Sequence, residues 1–295
     1  MIANKYKLES ILSKGTYGFV YKGINKNSNE NVAIKIDIHA KSLQHETKIL
    51  NYLYSNKIRK IPAIYWYGTF ENHPCLVMTY YEYNLLDYIK KIHNTIYSTN
   101  NEESNKKKLL KINQIMCKML TIIMEIHHHY VLHRDLKPAN FMIKNGELYL
   151  IDFGLASFYI TDDQIHIKNE HNETIIGSPK YISIHIFDGN TYSRRDDLIS
   201  LGYIYLMMIL NGTPWEDDVQ HKYMLENEGK STYEEIHIHH PKNKIRRSCR
   251  NLSYMLETYI GNIINFENIH IYFKYVYELE YDEKPRYNYL STLFE

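Results

Sequence analysis

Twelve residues near the middle of the chain, Val131 to Met142 (VLHRDLKPANFM), constrain its fold more than any other stretch. They put Asp135, Lys137 and Asn140 in one loop. The apolar run Phe141-Met142-Ile143 can anchor that loop as a short strand. Three polar groups of these types on a rigid support suit phosphoryl transfer. The Asp can accept a hydroxyl proton, the Lys can neutralise a transferring phosphoryl group, and the Asn can hold a metal ion. A chain built around such a loop needs a nucleotide pocket and a second metal ligand, together with a surface for the acceptor.

The pocket is legible upstream. Residues from Tyr6 to about Met78 read as strands with one helix. Tyr6 to Leu12 is a strand candidate that runs into SKGTYGFVYKG. There Gly15 and Gly18 allow a tight turn whose backbone can approach phosphates, and Val20 resumes a strand. Leu12, Ser13, Lys14, Gly15, Thr16, Tyr17, Gly18, Phe19 and Val20 are therefore candidate nucleotide contacts. A plain hairpin turn is the competing reading. Val32-Ala33-Ile34-Lys35 follows at the separation of the next two strands and favours the phosphate reading. Lys41 to Tyr54 carries Leu43, Ile49, Leu50 and Leu53 at helical spacing. Glu46 on this helix can pair with Lys35 and fix its direction, since a flexible lysine needs a partner to hold one geometry. An isolated Glu would be read as a surface residue, but the preceding Lys35 reverses that preference. Ile61 to Ile64 and Cys75 to Met78 read as two more strands, with Met78 at the back of the pocket. Thr79 to Glu82 reads as a connector whose backbone, at Tyr80 and Tyr81 among others, can pair with an adenine edge. Leu85 to Ile92 resumes helical spacing, with Asp87 facing the cleft mouth.

His93 to Lys108 is polar and is expected to be an exposed loop. Leu109 to His127 reads as a long amphipathic helix supporting the central loop. His127-His128-His129 invites a metal reading. Consecutive helical residues point in different directions, however, and no Cys or carboxylate sits at ligand spacing, so a structural role is expected. Beyond the loop, Glu147 to Ile151 reads as a strand ending in Asp152-Phe153-Gly154, where Asp152 can bind Mg²⁺ that bridges phosphate oxygens.

Bulk properties exclude several classes. The 295 residues suffice for one large domain or two lobes sharing a cleft. A net charge of +1 argues against nucleic-acid binding by bulk charge. Cys75, Cys117 and Cys249 lie far apart, which points to a reducing compartment and no disulfide framework. The start, MIANKYKLES, lacks the apolar stretch of a secretory signal. The apolar run Leu198 to Leu210 is too short to span a bilayer and reads as a buried core helix. The 29 tyrosines, with recurring Asn, Ile and Lys, suggest an AT-rich source genome, such as that of a large DNA virus or a parasite.

Taken together, these residues resemble the eukaryotic protein kinases across nearly the whole chain. His133 to Asn140 fits the H-R-D-L-x-x-x-N loop, Asp152 to Gly154 the D-F-G, and Val32 to Lys35 the V-A-I-K. Lys137-Pro138 resembles the serine/threonine branch. The usual A-P-E is missing. Instead, Gly177 to His185 (GSPKYISIH) and Tyr192 to Tyr203 (YSRRDDLISLGY) look like the G-T-A-R-Y-x-S-I-N and S-R-R-D-D-L-x-S-L-G-Y segments of the casein kinase 1 family. Leu210 to Trp215 and Tyr281 to Phe294 are similar to that family's G-x-L-P-W and E-x-P-D-Y-x-Y-L-R-x-L-F stretches. The vaccinia-related kinases typically carry H-G-D-I-K-x-x-N, so His133-Arg134-Asp135 fits the casein kinase 1 branch better.

The resemblance implies an α+β, two-lobed protein kinase fold in one domain, 1–295. The N-lobe (about 1–78) is an antiparallel sheet plus one helix, the hinge is 79–82, and the C-lobe (83–295) is mainly helical. It implies transfer of the ATP γ-phosphate to Ser or Thr of protein substrates with Mg²⁺, or Mn²⁺ in its place. Asp135 would be the catalytic base, with Lys137 beside it. Asn140 and Asp152 would hold the metal. Lys35 would contact the α- and β-phosphates while paired to Glu46. The nucleotide would lie between Leu12, Val20 and Ala33 above and Met142 and Ile151 below. Asp197 would brace the loop backbone.

Lys180 stands where the family has an arginine, so an anion pocket for acidic or already phosphorylated substrates persists as a point charge. Ser13 replaces the first loop glycine, with slower turnover at most. His185 replaces the Asn of S-I-N. The segment after Trp215 is acidic where relatives are basic, although Lys222 remains. Lys242 to Arg250 is expected to be a solvated basic face, with a nuclear-localisation or nucleic-acid patch as the competing reading. No regulatory tail is expected after Glu295. With Glu170 and Glu173 nearby, obligatory activation by phosphorylation at Thr174 or Ser178 is not expected. The competing readings are a pseudokinase scaffold and a small-molecule kinase. Retention of Lys35, Glu46, Asp135, Asn140 and Asp152 speaks against the first, and Lys137-Pro138 with the long Ala156 to Tyr181 segment against the second. A monomer in the cytoplasm is expected, with the nucleus as an alternative site or, for a viral source, the host cytoplasm. No membrane or nucleic-acid partner is expected.

Overall fold

The structure is a computed structural model that describes residues 1–14, 18–38, 42–96, 102–171, 175–210, 212 and 267–295. Gly15, Thr16, Tyr17, Thr174, Thr213, Pro214, Trp215, Lys222 and the basic run Lys242 to Arg250 lie outside the described residues. The chain divides into two compact units, Met1–Leu85 with Ala139–Ser157, and Leu86–Pro138 with Phe158–Glu295.

In the first unit, strands β1 (Tyr6–Lys14), β2 (Gly18–Asn25), β3 (Asn31–Asp37), β4 (Ile64–Phe70) and β5 (His73–Thr79) form an antiparallel sheet in the order β1-β2-β3-β5-β4. Side chains alternate across a strand. One face of the sheet carries Val32, Ile34, Cys75 and Val77, which pack with Ile2 and Tyr6. The other carries Ala33, Leu76 and Met78, which pack against Leu43 of helix α1 (Ser42–Ser55). On α1 the buried positions Leu43, Glu46, Leu50 and Leu53 recur at the helical spacing of one stripe. A carboxylate therefore sits in an otherwise apolar row, on the face that Lys35 shares with Ala33.

Strand β4 begins later than the sequence suggests. Ile61 to Ala63 is not strand, because Pro62 has no donor to give a ladder. Ala63 is held by Thr79 instead, its N–H donating to Thr79 Oγ1 at 3.0 Å and its carbonyl accepting from the Thr79 N–H at 3.0 Å. The aromatic and β-branched run from Ile64 supplies the strand. A second sheet joins β6 (Tyr83–Asn84), β8 (Phe141–Lys144) and β9 (Glu147–Leu150) in the order β6-β8-β9. Strand β7 is the pair Val131–Leu132 of the other unit. Asn145 and Gly146 close the β8–β9 hairpin with φ of 53° and 75°, the left-handed pair that a two-residue turn of this type demands.

The second unit is helical: α2 (Leu85–Ile96), α3 (Glu102–His128), the short α4 (Ile184–Phe187), α5 (Arg194–Leu210), α6 (Glu267–Glu278) and α7 (Tyr287–Thr292). The expected polar loop His93 to Lys108 is corrected here: of its described residues, His93 to Ile96 end α2 and Glu102 to Lys108 begin α3. Tertiary partners override composition. His93 is buried, its Nε2–H donates to the Met208 carbonyl at 3.0 Å, and its Nδ1 accepts from Lys108 at 2.9 Å. Lys107 and Glu103 add an i,i+4 pair. Helix α5 is buried along nearly its whole length, as a core helix should be. Gly202 lets α6 approach closely, since a Cβ there would lie 2.7 Å from the Phe273 ring.

Tyrosines stitch this core through their hydroxyls. Tyr272 donates to the Leu198 carbonyl, Tyr205 to Asn113 Oδ1 and Tyr159 to the His127 carbonyl, each within 2.7 Å. Ser183 caps α4 by accepting the His185 N–H. The α+β class expected from the sequence is what the chain has. Among the described residues no helix is long and apolar enough to cross a membrane.

Candidate active site

The site residues singled out by the sequence fall into two polar clusters, one in each unit. In the first unit, Lys35 projects from the centre of β3, where it pairs in register with Val20 on one side and Leu76 on the other. Its ammonium donates to both Glu46 carboxylate oxygens at 2.8 and 3.0 Å and to Asp152 Oδ1 at 2.6 Å. Glu46 is 1% exposed, so its charge has left water almost completely. Burial alone would lower the Lys35 pKa, but Glu46 and Asp152 outweigh it and hold the ammonium well above its ordinary range. Burial pushes the Glu46 carboxyl up, and the Lys35 charge and hydrogen bonds oppose that rise. The pairing of Lys35 with Glu46 expected from the sequence is present. Asp152 as a second partner of Lys35 was not foreseen.

The β8–β9 ladder brings Asn140 and Asp152 to neighbouring positions. Asn140 immediately precedes β8, Asp152 follows β9 by one residue, and the Ile151 N–H donates to the Asn140 carbonyl at 2.9 Å. Asp152 adopts φ 69° and ψ 69°, a left-handed conformation that costs a non-glycine residue on the order of 1 kcal/mol or more. The following turn, Phe153–Leu155, is fixed by the buried Phe153 ring and by His45, whose Nε2–H donates to the Ala156 carbonyl at 2.6 Å.

The remaining residues of the expected pocket fall in the same unit. Ser13 pairs with Val20 and Lys14 with Phe19 across β1 and β2, with the Lys14 ammonium 5.6 Å from the Phe19 ring centre. Ala33 and Met78 are cross-strand partners on the α1 face. Leu12 is exposed, and Met142 and Ile151 are half-buried. Tyr81 turns its ring inward, 5.0 Å from that of Tyr149, while the Tyr80 ring lies under the Lys22 ammonium. Gly18 has a steric reason of its own: a Cβ would lie 2.0 Å from the Ile36 carbonyl oxygen on the adjoining strand.

In the second unit, Asp135 Oδ2 accepts from Lys137 at 2.7 Å, and Oδ1 accepts from the Ser178 hydroxyl at 2.7 Å. Lys137 also donates to Ser178 Oγ at 3.1 Å. A hydroxyl thus rests between a carboxylate and an ammonium. The sequence alone marks Ser178 only as a candidate phosphosite. The missed signal is its position directly after Gly177, at φ 107°, where a Cβ would lie 2.6 Å from the Arg134 carbonyl oxygen. No side chain fits there, so the segment can lie against the loop and hand its next residue to Asp135.

The loop is braced from beneath. Asp197, in the first turn of α5, accepts the His133 N–H at 2.8 Å and the Arg134 N–H at 3.0 Å. Arg134 has φ 64°, so these bonds hold a backbone turned away from its easiest conformation. Asp197 also accepts from His127 Nε2–H at 3.0 Å, and His127 Nδ1 accepts the Tyr287 hydroxyl at 2.6 Å. Burial would raise the Asp197 pKa, but His127 and the hydrogen bonds keep it below its ordinary value. Burial pushes the His127 pKa down. The histidine run is structural at His127, as expected. Among the described residues no three His, Cys, Asp or Glu gather to hold a metal. Lys180 is half-buried, with its ammonium 5.6 Å from the Tyr181 ring centre.

A β3 lysine paired to a carboxylate of α1 with a strand-end Asp in one unit, and an Asp-Lys pair in the other, are the groups that a phosphotransferase needs. Residues 6–268 match the family described as Protein kinase domain, and the chain belongs to that family. Its fold is accordingly the two-lobed kinase fold, with an antiparallel sheet in the N-lobe.

Proposed function

We propose that the chain is an active serine/threonine protein kinase of the casein kinase 1 type, which transfers the ATP γ-phosphate to a protein hydroxyl. The observation that carries this reading is the Ser178 hydroxyl seated 2.7 Å from Asp135 and 3.1 Å from Lys137. A carboxylate that already accepts one hydroxyl proton at hydrogen-bond distance suits the role of general base toward another. Lys137 then neutralises charge on the phosphoryl group being transferred, and Lys35, held by Glu46, orients the remaining phosphates. The chemistry of the donor set fits Mg²⁺: Asp152 and Asn140 offer hard oxygen ligands, and Mg²⁺ takes few protein ligands when phosphates supply the rest. Asn140 and Asp152 would hold Mg²⁺, which would offset the charge that develops on the phosphates. Lys137-Pro138 and the Gly177 to His185 segment support the serine/threonine and casein kinase 1 assignment. Lys180 supports a preference for acidic or primed substrates.

The test is label transfer from γ-labelled ATP to casein and to a basic protein, wild type beside Asp135→Ala. Transfer to serine or threonine that drops by about 10²- to 10⁴-fold in the variant is the expected result. No transfer by folded, ATP-binding wild type would mark a scaffold instead.

A further inference from the structure

The histidine run and the first residue of α5 meet at a cleft that the kinase reading does not use. Its volume is about 150 Å³, and it lies wholly within the second unit. Its floor is His127 and the Tyr287 ring, its walls include Tyr130 and Tyr159, and its polar groups are Arg194, Lys284 and His128. Among the described residues no carboxylate lines it. Asp197 lies behind His127 and is already taken by His127 and the His133 and Arg134 amides.

Among the described residues no carboxylate pairs with Arg194 or Lys284. Arg194 stacks over the Tyr159 ring at 4.6 Å, and its terminal nitrogens donate to the Asp282 carbonyl and the Tyr159 hydroxyl. None of those acceptors is charged, and Arg194 Nε is a buried donor with no hydrogen-bond partner among the described residues. Lys284 is exposed and pairs with no carboxylate among the described residues. His128 has ring contact with Tyr287 but no hydrogen bond from its imidazole among the described residues. Buried donors are normally satisfied, and converging cations normally have a counter-charge.

We propose that this cleft binds a single tetrahedral oxyanion, the phosphate group of a phosphate monoester or inorganic phosphate, through Arg194, Lys284 and His128. Arginine and lysine together match phosphate oxygens by charge-assisted hydrogen bonds. The volume admits one such group and excludes a nucleotide. The positive field is already felt by the histidines: burial lowers the His128 pKa, with Lys284 adding to it, and Arg194 acts on His127 in the same sense. The site sits one residue contact from the brace, since His127 touches both the cleft and Asp197. The inference stands apart from the serine/threonine assignment, because none of its residues takes part in that chemistry.

The experiment uses the full chain with an ATP analogue and Mg²⁺ filling the nucleotide site, in a Lys180→Ala background that removes the other candidate anion pocket. Inorganic phosphate is titrated while the His128 imidazole signals, assigned by their loss in His128→Asn, are followed by NMR. Those signals should move saturably, and Lys284→Ala should demand about tenfold more phosphate, as expected for one lost charge-assisted hydrogen bond. Lys144→Ala, an exposed lysine of the other unit, should change nothing. Static His128 signals, or an unchanged midpoint in Lys284→Ala, would overturn the proposal even if Arg194→Gln fails to fold. A phosphoserine peptide that titrates the same signals at lower concentration than phosphate identifies a protein-borne group as the ligand. Equal midpoints identify the free ion.

Discussion

Lys35, Glu46 and Asp152 meet as side chains drawn from three separate elements, whereas Asp135 and Lys137 are near neighbours in one loop that is held through its backbone. The first cluster is positioned by charge. Its Glu46 is buried in an apolar helix stripe, and only the ammonium opposite makes that tolerable. The second is positioned by amide hydrogen bonds to Asp197, with Asp135 buried and Lys137 partly open to solvent. The difference teaches where each cluster is fragile. Removing a partner in the first strands a charge. Removing the brace in the second leaves the side chains in place on a slackened peptide.

The largest effect should follow from Lys35→Met. It leaves Glu46 buried without its cation, and breaking a buried pair in this way costs about 3–5 kcal/mol. The low end is expected here, because Glu46 can take up a proton. Urea denaturation should show the loss, and adding Glu46→Gln should restore part of it. A Lys35→Met protein as stable as wild type would show that charge does not position this cluster.

A smaller effect is expected from Asp197→Asn, which keeps the shape but cannot accept both amides while facing His127. One buried N–H left unpaired costs about 1–3 kcal/mol. Hydrogen exchange at the His133 and Arg134 amides should accelerate, and label transfer should fall although Asp135 and Lys137 are untouched. Unchanged exchange at both amides would remove the contrast drawn above.

An effect of similar size, confined to one pH window, concerns the adjacent carboxylate. Burial pushes Asp196 up to about 6 from 3.8, although its Oδ2 accepts the Ser193 N–H at 2.8 Å. Between those two values the folded chain keeps a proton that the unfolded chain has released. Stability therefore falls as pH rises through that window, by on the order of 1–3 kcal/mol. Asp196→Asn should flatten this component when denaturation midpoints are compared from about pH 4 to about pH 7. Parallel pH profiles for the two proteins would show that Asp196 does not carry it.

Much of this was legible before any coordinates. The strand pattern, the Lys35–Glu46 pair and the strand-end Asp152 follow from local periodicity and from residue types whose chemistry needs a partner. Asp197 as a brace followed from resemblance alone. What stayed hidden is tertiary. A polar sequence such as the one after His93 says loop until a buried carbonyl, that of Met208, takes up the imidazole. Pro62 displaced a strand start because a missing donor outweighs apolar flanks. Ser178 could not be assigned from sequence, because its role depends on the close approach of Gly177 to Arg134, which no spacing rule records.

The tyrosine-stitched interior has a consequence for alkali. Burial raises the phenol pKa of Tyr192, Tyr205, Tyr272 and Tyr287 beyond the ordinary value. Each of these rings resists ionisation while its hydroxyl stays inside, and each returns to ordinary phenol acidity once the interior opens. Base should therefore release them in a single step at the unfolding transition. The core then behaves as its own indicator dye, whose colour change reports the loss of packing rather than the acidity of any one ring.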